Sequence, residues 1–314
     1  MPSQIPEDWA SLSTPNPEML SLLEKSYPPG FRVIKPGITI QQLREIGKNN
    51  PSSEKWLDVE ERDIEVVMSD GYLSRARVYT SKSTPTSDFS LAISGSVVLK
   101  VEEGGVEKRE EEEEEGENGK EPLLVMIHGG GFSVGKPEME EERCRFWVRE
   151  FKGVSVSLGY RLAPENAWPR GVEDCWEGVK WIAQHAKELG ADARKGFVLG
   201  GISSGATTSI GIAHRARDEG MTPPLTGLYL SVPGICTPES LPEEHKNDPR
   251  LVSWEQNRTA PLFSTPELEF FASQYQSPPN DPLRSPLIWP TGHKGLPRHY
   301  LQVAGLDPRG GDEG

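Results

Sequence analysis

A serine between two glycines is the first feature of the sequence that could carry out chemistry. The stretch Gly201-Ile202-Ser203-Ser204-Gly205 has the pattern G-x-S-x-G and stands between a strand-like segment and a helix-forming one. A nucleophilic serine needs a tight turn of this kind, because glycines allow close backbone approach and the N-terminus of the following helix stabilises negative charge. Ser203 is therefore the candidate nucleophile. The same pattern also suits a purely structural turn, since tight turns require glycine.

A run of three glycines offers hydrogen-bond donors for the same chemistry. The sequence HGGGF begins at His128 and directly follows an apolar, strand-like segment. Consecutive glycines let backbone N–H groups point towards one place, where they could stabilise an oxyanion. We expect Gly130 and one neighbouring glycine to donate, together with the amide of the residue after the nucleophile. The candidate oxyanion-hole residues are Gly129, Gly130, Gly131 and Ser204. A flexible glycine loop is the alternative interpretation.

Strand-like and helix-like patterns alternate around these two motifs. A continuous apolar run at 123–127 is typical of a strand buried on both faces, and buried-type strands are also expected at 154–158 and 196–199. Further strands are expected at 228–232 and 300–304. Apolar residues at helical spacing predict helices around 144–151 and 172–183. An antiparallel pair is expected at 64–68 and 73–79. The alternation predicts an α/β fold whose mostly parallel central sheet has helices on both faces.

The chain is expected to have two parts. Residues 1–55 are rich in proline and polar residues, and we interpret them as a lid segment with one helix at 40–48. Thr39 and Gln42 resemble a capping box at the start of that helix. Residues 56–314 are expected to form the α/β domain.

Two segments of this domain are expected to lie outside the sheet. An acidic low-complexity insertion at about 101–121 holds eleven glutamates and three basic residues, and so contributes −8 of the net charge of −14. Self-repulsion favours a solvated surface loop, with an acidic interaction segment as the alternative. The proline-rich stretch 238–285 is interpreted as loops and helices near the mouth of a pocket.

The composition narrows the class of protein. A chain of 314 residues with 35% hydrophobic content can bury a sizeable core, which excludes a disordered protein. Basic patches with interleaved aromatic residues are absent, so no nucleic-acid partner is expected. We expect a cytoplasmic protein without a membrane span, because the sequence shows neither a signal-peptide pattern nor a long apolar run. Cys144, Cys175 and Cys236 are expected to be reduced core thiols rather than metal ligands.

The motifs together resemble the hormone-sensitive-lipase-like branch of the α/β-hydrolase fold. The resemblance rests on HGGGF, YRLAPE at Tyr160–Glu165, GISSGA and GLDP at Gly305–Pro308, and extends from about Val66 to the end of the chain. The family's serine motif usually reads G-D-S-A-G, so Ile202 and Ser204 differ from it without removing a catalytic atom. The resemblance implies a carboxylesterase that acts on short or medium acyl esters of small molecules without a metal or organic cofactor. Its oligomeric state stays open.

The resemblance also implies a catalytic acid. In this fold the triad runs serine, acid, histidine along the chain, and the acid follows a late strand. Asp307 fits that position, because it follows the strand-like segment YLQVAG. The loop reads DPRGGDE, with one residue more before Asp312 than the family pattern, and Asp312 is the alternative acid.

The catalytic histidine is the part of the triad that the sequence does not supply. All six histidines precede Asp307. We therefore expect a truncated hydrolase of impaired activity that lacks the last strand, the histidine loop and the last helix of the fold. His293 or His299 could act as a displaced base. A non-catalytic small-molecule binding module of the same fold is the alternative function, since some relatives are hormone receptors. A peptidase or amidase ranks third, because no residue selects an amide over an ester.

Overall fold

The computed structural model describes most of the chain. The described residues are 16–26, 37–48, 56–82, 121–246, 253–261 and 263–308, with residues 14, 34, 35, 54 and 248. The acidic insertion, apart from Glu121, lies outside the described residues, and so does the alternative acid Asp312. Much of the expected lid segment 1–55 lies outside them too, so its role as a lid stays a prediction.

Seven strands form one sheet in the described part of the chain. They are β1 (Val59–Val67), β2 (Leu73–Ser81), β3 (Leu123–Ile127), β4 (Val154–Leu158), β5 (Phe197–Ile202), β6 (Gly227–Ser231) and β7 (Arg298–Gln302). Their order is β1-β2-β4-β3-β5-β6-β7. The pairs β1–β2 and β2–β4 are antiparallel, and the remaining pairs are parallel. The predicted mostly parallel sheet is confirmed.

Helices accompany the sheet. They are α1 (Pro17–Ser26), α2 (Ile40–Lys48), α3 (Glu141–Phe151), α4 (Arg170–Gln184), α5 (Ser204–Asp218), α6 (Ser253–Gln256) and α7 (Thr265–Tyr275). The helix predicted at 40–48 is present with those bounds, whereas a second helix in the segment 1–55, at Pro17–Ser26, was not predicted. The capping box of α2 is confirmed, because the amide of Thr39 donates to Gln42 Oε1 at 2.9 Å and the amide of Gln42 donates to Thr39 Oγ1 at 3.2 Å. Among the described residues, no helix is long and apolar enough to cross a membrane.

Both faces of the central strands β3 and β4 are covered, which explains why these strands contain no charged residue. All five residues of β3 are buried, and so are all five of β4. In β3, Val125 packs in the core that contains α4 and α5, whereas its neighbours Leu124 and Met126 pack in the core that contains α3. Successive strand side chains point to opposite faces, so helices on the two faces produce this division.

The strands differ from the predicted ones mainly at their ends. β1 begins at Val59 rather than at residue 64. The apolar pattern predicted a later start because residues 60–63 are polar, and an edge strand tolerates polar residues. β5 continues to Ile202, since its two glycines still pair with β6. β7 is Arg298–Gln302 rather than 300–304, because its partner β6 ends at Ser231, opposite Gln302. β7 is an edge strand of the described sheet.

The close approach of α5 to β3 generates a testable prediction. Gly205→Ala should lower the free energy of unfolding by about 3 kcal/mol, the upper part of the usual cost of overpacking. The added Cβ would lie 2.1 Å from the carbonyl oxygen of Ile127. Chemical unfolding followed by circular dichroism measures the change.

The matched control is Gly47→Ala in α2, where an added Cβ meets nothing within 4 Å. Alanine has the higher helix propensity, so this variant should unfold with unchanged or slightly greater stability, by up to about 1 kcal/mol. Equal stability of Gly205→Ala and the unsubstituted chain would contradict the contact.

Candidate active site

The sheet brings the predicted site residues to one edge. His128 directly follows β3, Ser203 directly follows β5, and Asp307 lies five residues after the end of β7. These strands are parallel, with β5 between β3 and β6, and β6 between β5 and β7. Carboxyl ends of parallel strands meet at the same edge, which is where open α/β sheets bind ligands.

Ser203 occupies a strained turn between β5 and α5. Its φ of 54° and ψ of −118° lie outside the regions that non-glycine residues usually adopt, a conformation that costs about 1–3 kcal/mol. Its amide donates to Ser231 O at 2.8 Å, and its carbonyl accepts from the amide of Thr207 at 3.0 Å. A Cβ on Gly201 would lie 2.3 Å from the carbonyl carbon of Gly205, so this turn requires glycine. The side chain of Ser203 therefore stands at the N-terminus of α5, where developing negative charge is favoured.

The glycine loop lies directly against this turn. A Cβ built on Gly129 would lie 2.9 Å from Ile202 O and 3.5 Å from Ser203 Cβ. The next three residues, Gly130, Gly131 and Phe132, have φ values of 112°, 56° and 59°. The amides of Ser133 and Val134 both donate to Gly130 O at 3.0 Å and close the loop. The structure thus brings the candidate oxyanion loop and the candidate nucleophile together.

His128 supports the loop and is not placed as a base. Its ring is buried, stacks on Tyr160 at 4.3 Å between centroids, and its Nδ1 lies 2.7 Å from Gly129 O. A carbonyl only accepts, so Nδ1 carries the proton. Burial lowers the pKa of His128 to about 4, and the hydrogen bond to Gly129 opposes that change in part. The imidazole is therefore neutral at ordinary pH.

Asn257 fixes the turn that carries Asp307. Its side chain is buried, and Nδ2 donates to Gly305 O at 3.0 Å and to Asp307 O at 2.9 Å. The amide of Asp307 donates to Ala304 O at 2.9 Å within the same turn. Asn257 was not predicted from the sequence, because it lies in the proline-rich stretch 238–285 without any motif around it. Its only sequence signal is a polar residue among the aromatic residues of that stretch.

The structure does not place the two alternative bases near Ser203. His293 Nδ1 lies 2.9 Å from Nε2 of His214 near the end of α5, about 15 Å along the helix from its first residue. His293 Nε2 lies 3.2 Å from Leu287 O. His299 pairs opposite Leu228 in the sheet, about 10 Å before the carboxyl end of β7. The hypothesis of a displaced base at His293 or His299 is wrong for this arrangement.

Aromatic side chains from α7 and its neighbours cover the glycine loop. A Cβ on Gly131 would lie 2.4 Å from Cγ of Phe271, so the ring packs on the loop itself. Phe132 contacts Tyr275 at 4.7 Å and Trp168 at 5.5 Å between ring centroids. Residues of 238–285 therefore form part of the apolar surroundings of the site.

The three cysteines are buried and form no disulfide in the described structure. Burial raises the pKa of Cys144 and of Cys175. Groups of three or more histidine, cysteine, aspartate or glutamate side chains that could hold a metal ion do not occur among the described residues.

Comparisons of the sequence place it among known proteins. The family model described as alpha/beta hydrolase fold matches residues 124–312. An AB hydrolase superfamily protein of Schizosaccharomyces pombe is 37% identical over 186 residues, which cover 59% of this chain and 54% of that protein. Esterase LipI of Mycobacterium tuberculosis is 32% identical over 191 residues, which cover 60% of this chain and 56% of LipI. The chain thus spans about half the length of these two relatives.

Solved structures show the same architecture. The crystal structure of vibralactone cyclase has a TM-score of 0.77 and 28% sequence identity, and the match covers 96% of this chain and 81% of the cyclase. A hyperthermophilic esterase from the archaeon Pyrobaculum calidifontis has a TM-score of 0.67 at 23% identity, with 95% and 82% of the two chains covered. The second match shows a shared fold.

The buried His128 generates a prediction about stability and pH. Its pKa is near 6.5 in the unfolded chain and about 4 in the folded one, so between these values the unfolded state binds more protons. Stability from this residue is present above the unfolded pKa and is lost as the pH falls. We expect the His128 contribution to fall by about 2 kcal/mol from about pH 7 to about pH 4.5. Urea unfolding of the unsubstituted chain and of His128→Leu at both pH values measures it.

The control is His245→Gln, because His245 is exposed. This variant should retain the full loss of stability towards acid, whereas His128→Leu should lose less. Identical pH dependence in His128→Leu and the unsubstituted chain would show that the ring is not held neutral.

Proposed function

Because the chain belongs to the α/β-hydrolase family, in its hormone-sensitive-lipase-like branch, we propose that it cleaves carboxylic esters of small molecules through an acyl-serine intermediate. The observation that carries the proposal is the contact between the Ser203 turn and the Gly129 loop, where an added Cβ on Gly129 would lie 3.5 Å from Ser203 Cβ. Acyl transfer needs a nucleophile and oxyanion donors on the same carbonyl group, and this contact can supply both.

Ser203 is the nucleophile of the proposed reaction. Its Oγ attacks the carbonyl carbon of the ester, and the electron pair of the C=O bond moves to oxygen. The amide of Gly130, with that of Gly129 or Gly131, and the amide of Ser204 would stabilise this oxyanion. The serine proton passes to the departing oxygen, so the alcohol leaves and the acyl group stays on Ser203. Water then adds to this acyl group, which leaves as the carboxylic acid and restores the Ser203 hydroxyl. The N-terminus of α5 adds a favourable dipole at the same point.

Asp307 is the proposed acid, and its role would be to orient a base histidine. No histidine follows Asp307 among the 314 residues. His128 and His214 make other hydrogen bonds, and His293 is bonded to His214. We therefore propose none of these three histidines as the base.

A non-catalytic binding module is the second candidate. The observation that favours it is that His128, His214 and His293 are held by other hydrogen bonds. Without a base, the Ser203 turn and the glycine loop could hold a small ester or acid in the same orientation. Covalent reactivity of Ser203 distinguishes the two candidates, since a binding module needs none.

The proposal predicts selective labelling of one serine. A fluorophosphonate probe should label Ser203, and Ser203→Ala should abolish that labelling. Ser204→Ala should only weaken it, because the substitution removes a buried hydroxyl group and keeps the backbone amide that would bind the oxyanion. Gel fluorescence and mass spectrometry of the labelled peptide measure both. Labelling that persists in Ser203→Ala would exclude Ser203 as the nucleophile.

A further inference from the structure

Arg44 connects the N-terminal helix α2 to the glycine loop. Its Nε donates to Ser133 O at 2.9 Å, and its Nη2 donates to Ala163 O at 2.7 Å. The same guanidinium makes two further bonds of 2.8 Å to the two carboxylate oxygens of Glu165. Four acceptors from two separate loops are thus held by one side chain.

The two carbonyl acceptors of Arg44 belong to residues that are themselves hydrogen-bonded to the glycine loop. Ser133 donates its amide to Gly130 O at 3.0 Å and its hydroxyl to Gly131 O at 3.1 Å. The amide of Ala163 donates to Phe132 O at 2.9 Å. Arg44 is therefore connected to Gly130, Gly131 and Phe132, the loop residues with positive φ, through one intervening residue, Ser133 or Ala163.

These backbone conformations need support from outside the loop. Phe132 has a φ of 59°, which is unfavourable for a residue with a side chain. Strained backbone persists only where its surroundings fix it. Two charge-assisted bonds to carbonyl groups, on a guanidinium that is itself held by a carboxylate, can supply such a constraint.

An arginine is required at this position by geometry. The planar guanidinium presents donors in a fixed fork, which matches the bidentate carboxylate on one side and the two carbonyls on the other. A lysine would supply the positive charge but not the fixed arrangement of several donors. The bond to Arg44 also lowers the pKa of the Glu165 carboxyl, so the pair stays ionised at neutral pH.

We propose that Arg44 is a positioning residue for the reaction, which holds the Gly130–Phe132 turn in the conformation that directs its amides at the oxyanion. This inference rests on the proposed function of Ser203 and extends it to the N-terminal segment. Helix α2 is then part of the reactive site's support, and its attachment sets the geometry of the donors.

The test measures fluorophosphonate labelling of Ser203 as a rate, separated into probe binding (KI) and covalent reaction (kinact). Arg44→Gln should lower kinact about tenfold, less than the loss of a whole oxyanion donor, and should leave KI within about twofold. Arg44→Lys should behave like Arg44→Gln, because it lacks the fork. It also serves as the second variant should Arg44→Gln fail to fold.

The matched control is Arg149→Gln. Arg149 also makes a two-bond ion pair, with Asp58 at 2.8 and 2.6 Å, but on the surface of α3. Its loss should leave kinact unchanged. Equal kinact in Arg44→Gln and Arg149→Gln, whether both unchanged or both lowered, would overturn the proposal.

Hydrogen exchange at the amides of 129–134 is the second measurement and needs no reactivity. Arg44→Gln should exchange about tenfold faster there, and Arg149→Gln should not. Unchanged exchange in Arg44→Gln would overturn the positioning role. Failure of the proposed function would appear as labelling that Ser203→Ala does not remove. In that case the hydrogen-exchange rates still show whether Arg44 holds the loop.

Discussion

Backbone contact between two glycine-containing turns is the constraint on which the site depends. At Gly205 an added Cβ would lie 2.1 Å from Ile127 O, and at Gly129 it would lie 2.9 Å from Ile202 O. The start of α5 therefore rests on the end of β3, and the loop after β3 rests on the end of β5. Because no side chain fits between these backbone segments, the candidate nucleophile Ser203 and the glycine loop are held at a fixed separation.

The other features of the site follow from this contact. β3 is rigid because both of its faces are buried, so the loop after it begins from a fixed point. His128 is enclosed at that point and kept neutral by burial, which allows it to hold Gly129 O without placing a charge beside the nucleophile. The positive φ values of the next residues, and of Ser203, then need anchors, which Arg44, Ser133 and Ser231 supply by hydrogen bonds. Phe271 of α7 covers the loop from the remaining side.

Local patterns predicted much of this arrangement from sequence. Three kinds of pattern depend only on neighbours within a few residues, so the sequence shows them directly. They are the buried-strand patterns of β3 and β4, the helical periodicity of α3 and α4, and the capping box of α2. The Ser203 turn can also be predicted from the sequence, because contacts within the motif and with one strand leave no room for a side chain at its glycine positions.

Long-range hydrogen bonds could not be predicted from local sequence patterns. Arg44 reaches acceptors 89 to 121 residues away, and Asn257 reaches Asp307 across 50 residues. Each is a single polar residue without a surrounding pattern. The position of His293 also could not be predicted, because its hydrogen bond to His214 joins residues 79 positions apart.

Trapping of an acyl group tests the central claim most directly. The 314-residue chain would be incubated with p-nitrophenyl acetate, quenched in acid, digested and examined by mass spectrometry. We expect one acetyl group on Ser203, because the proposed reaction passes through an acyl group on that serine. Release of p-nitrophenol without acetyl on Ser203, or with acetyl only on other residues, would contradict it.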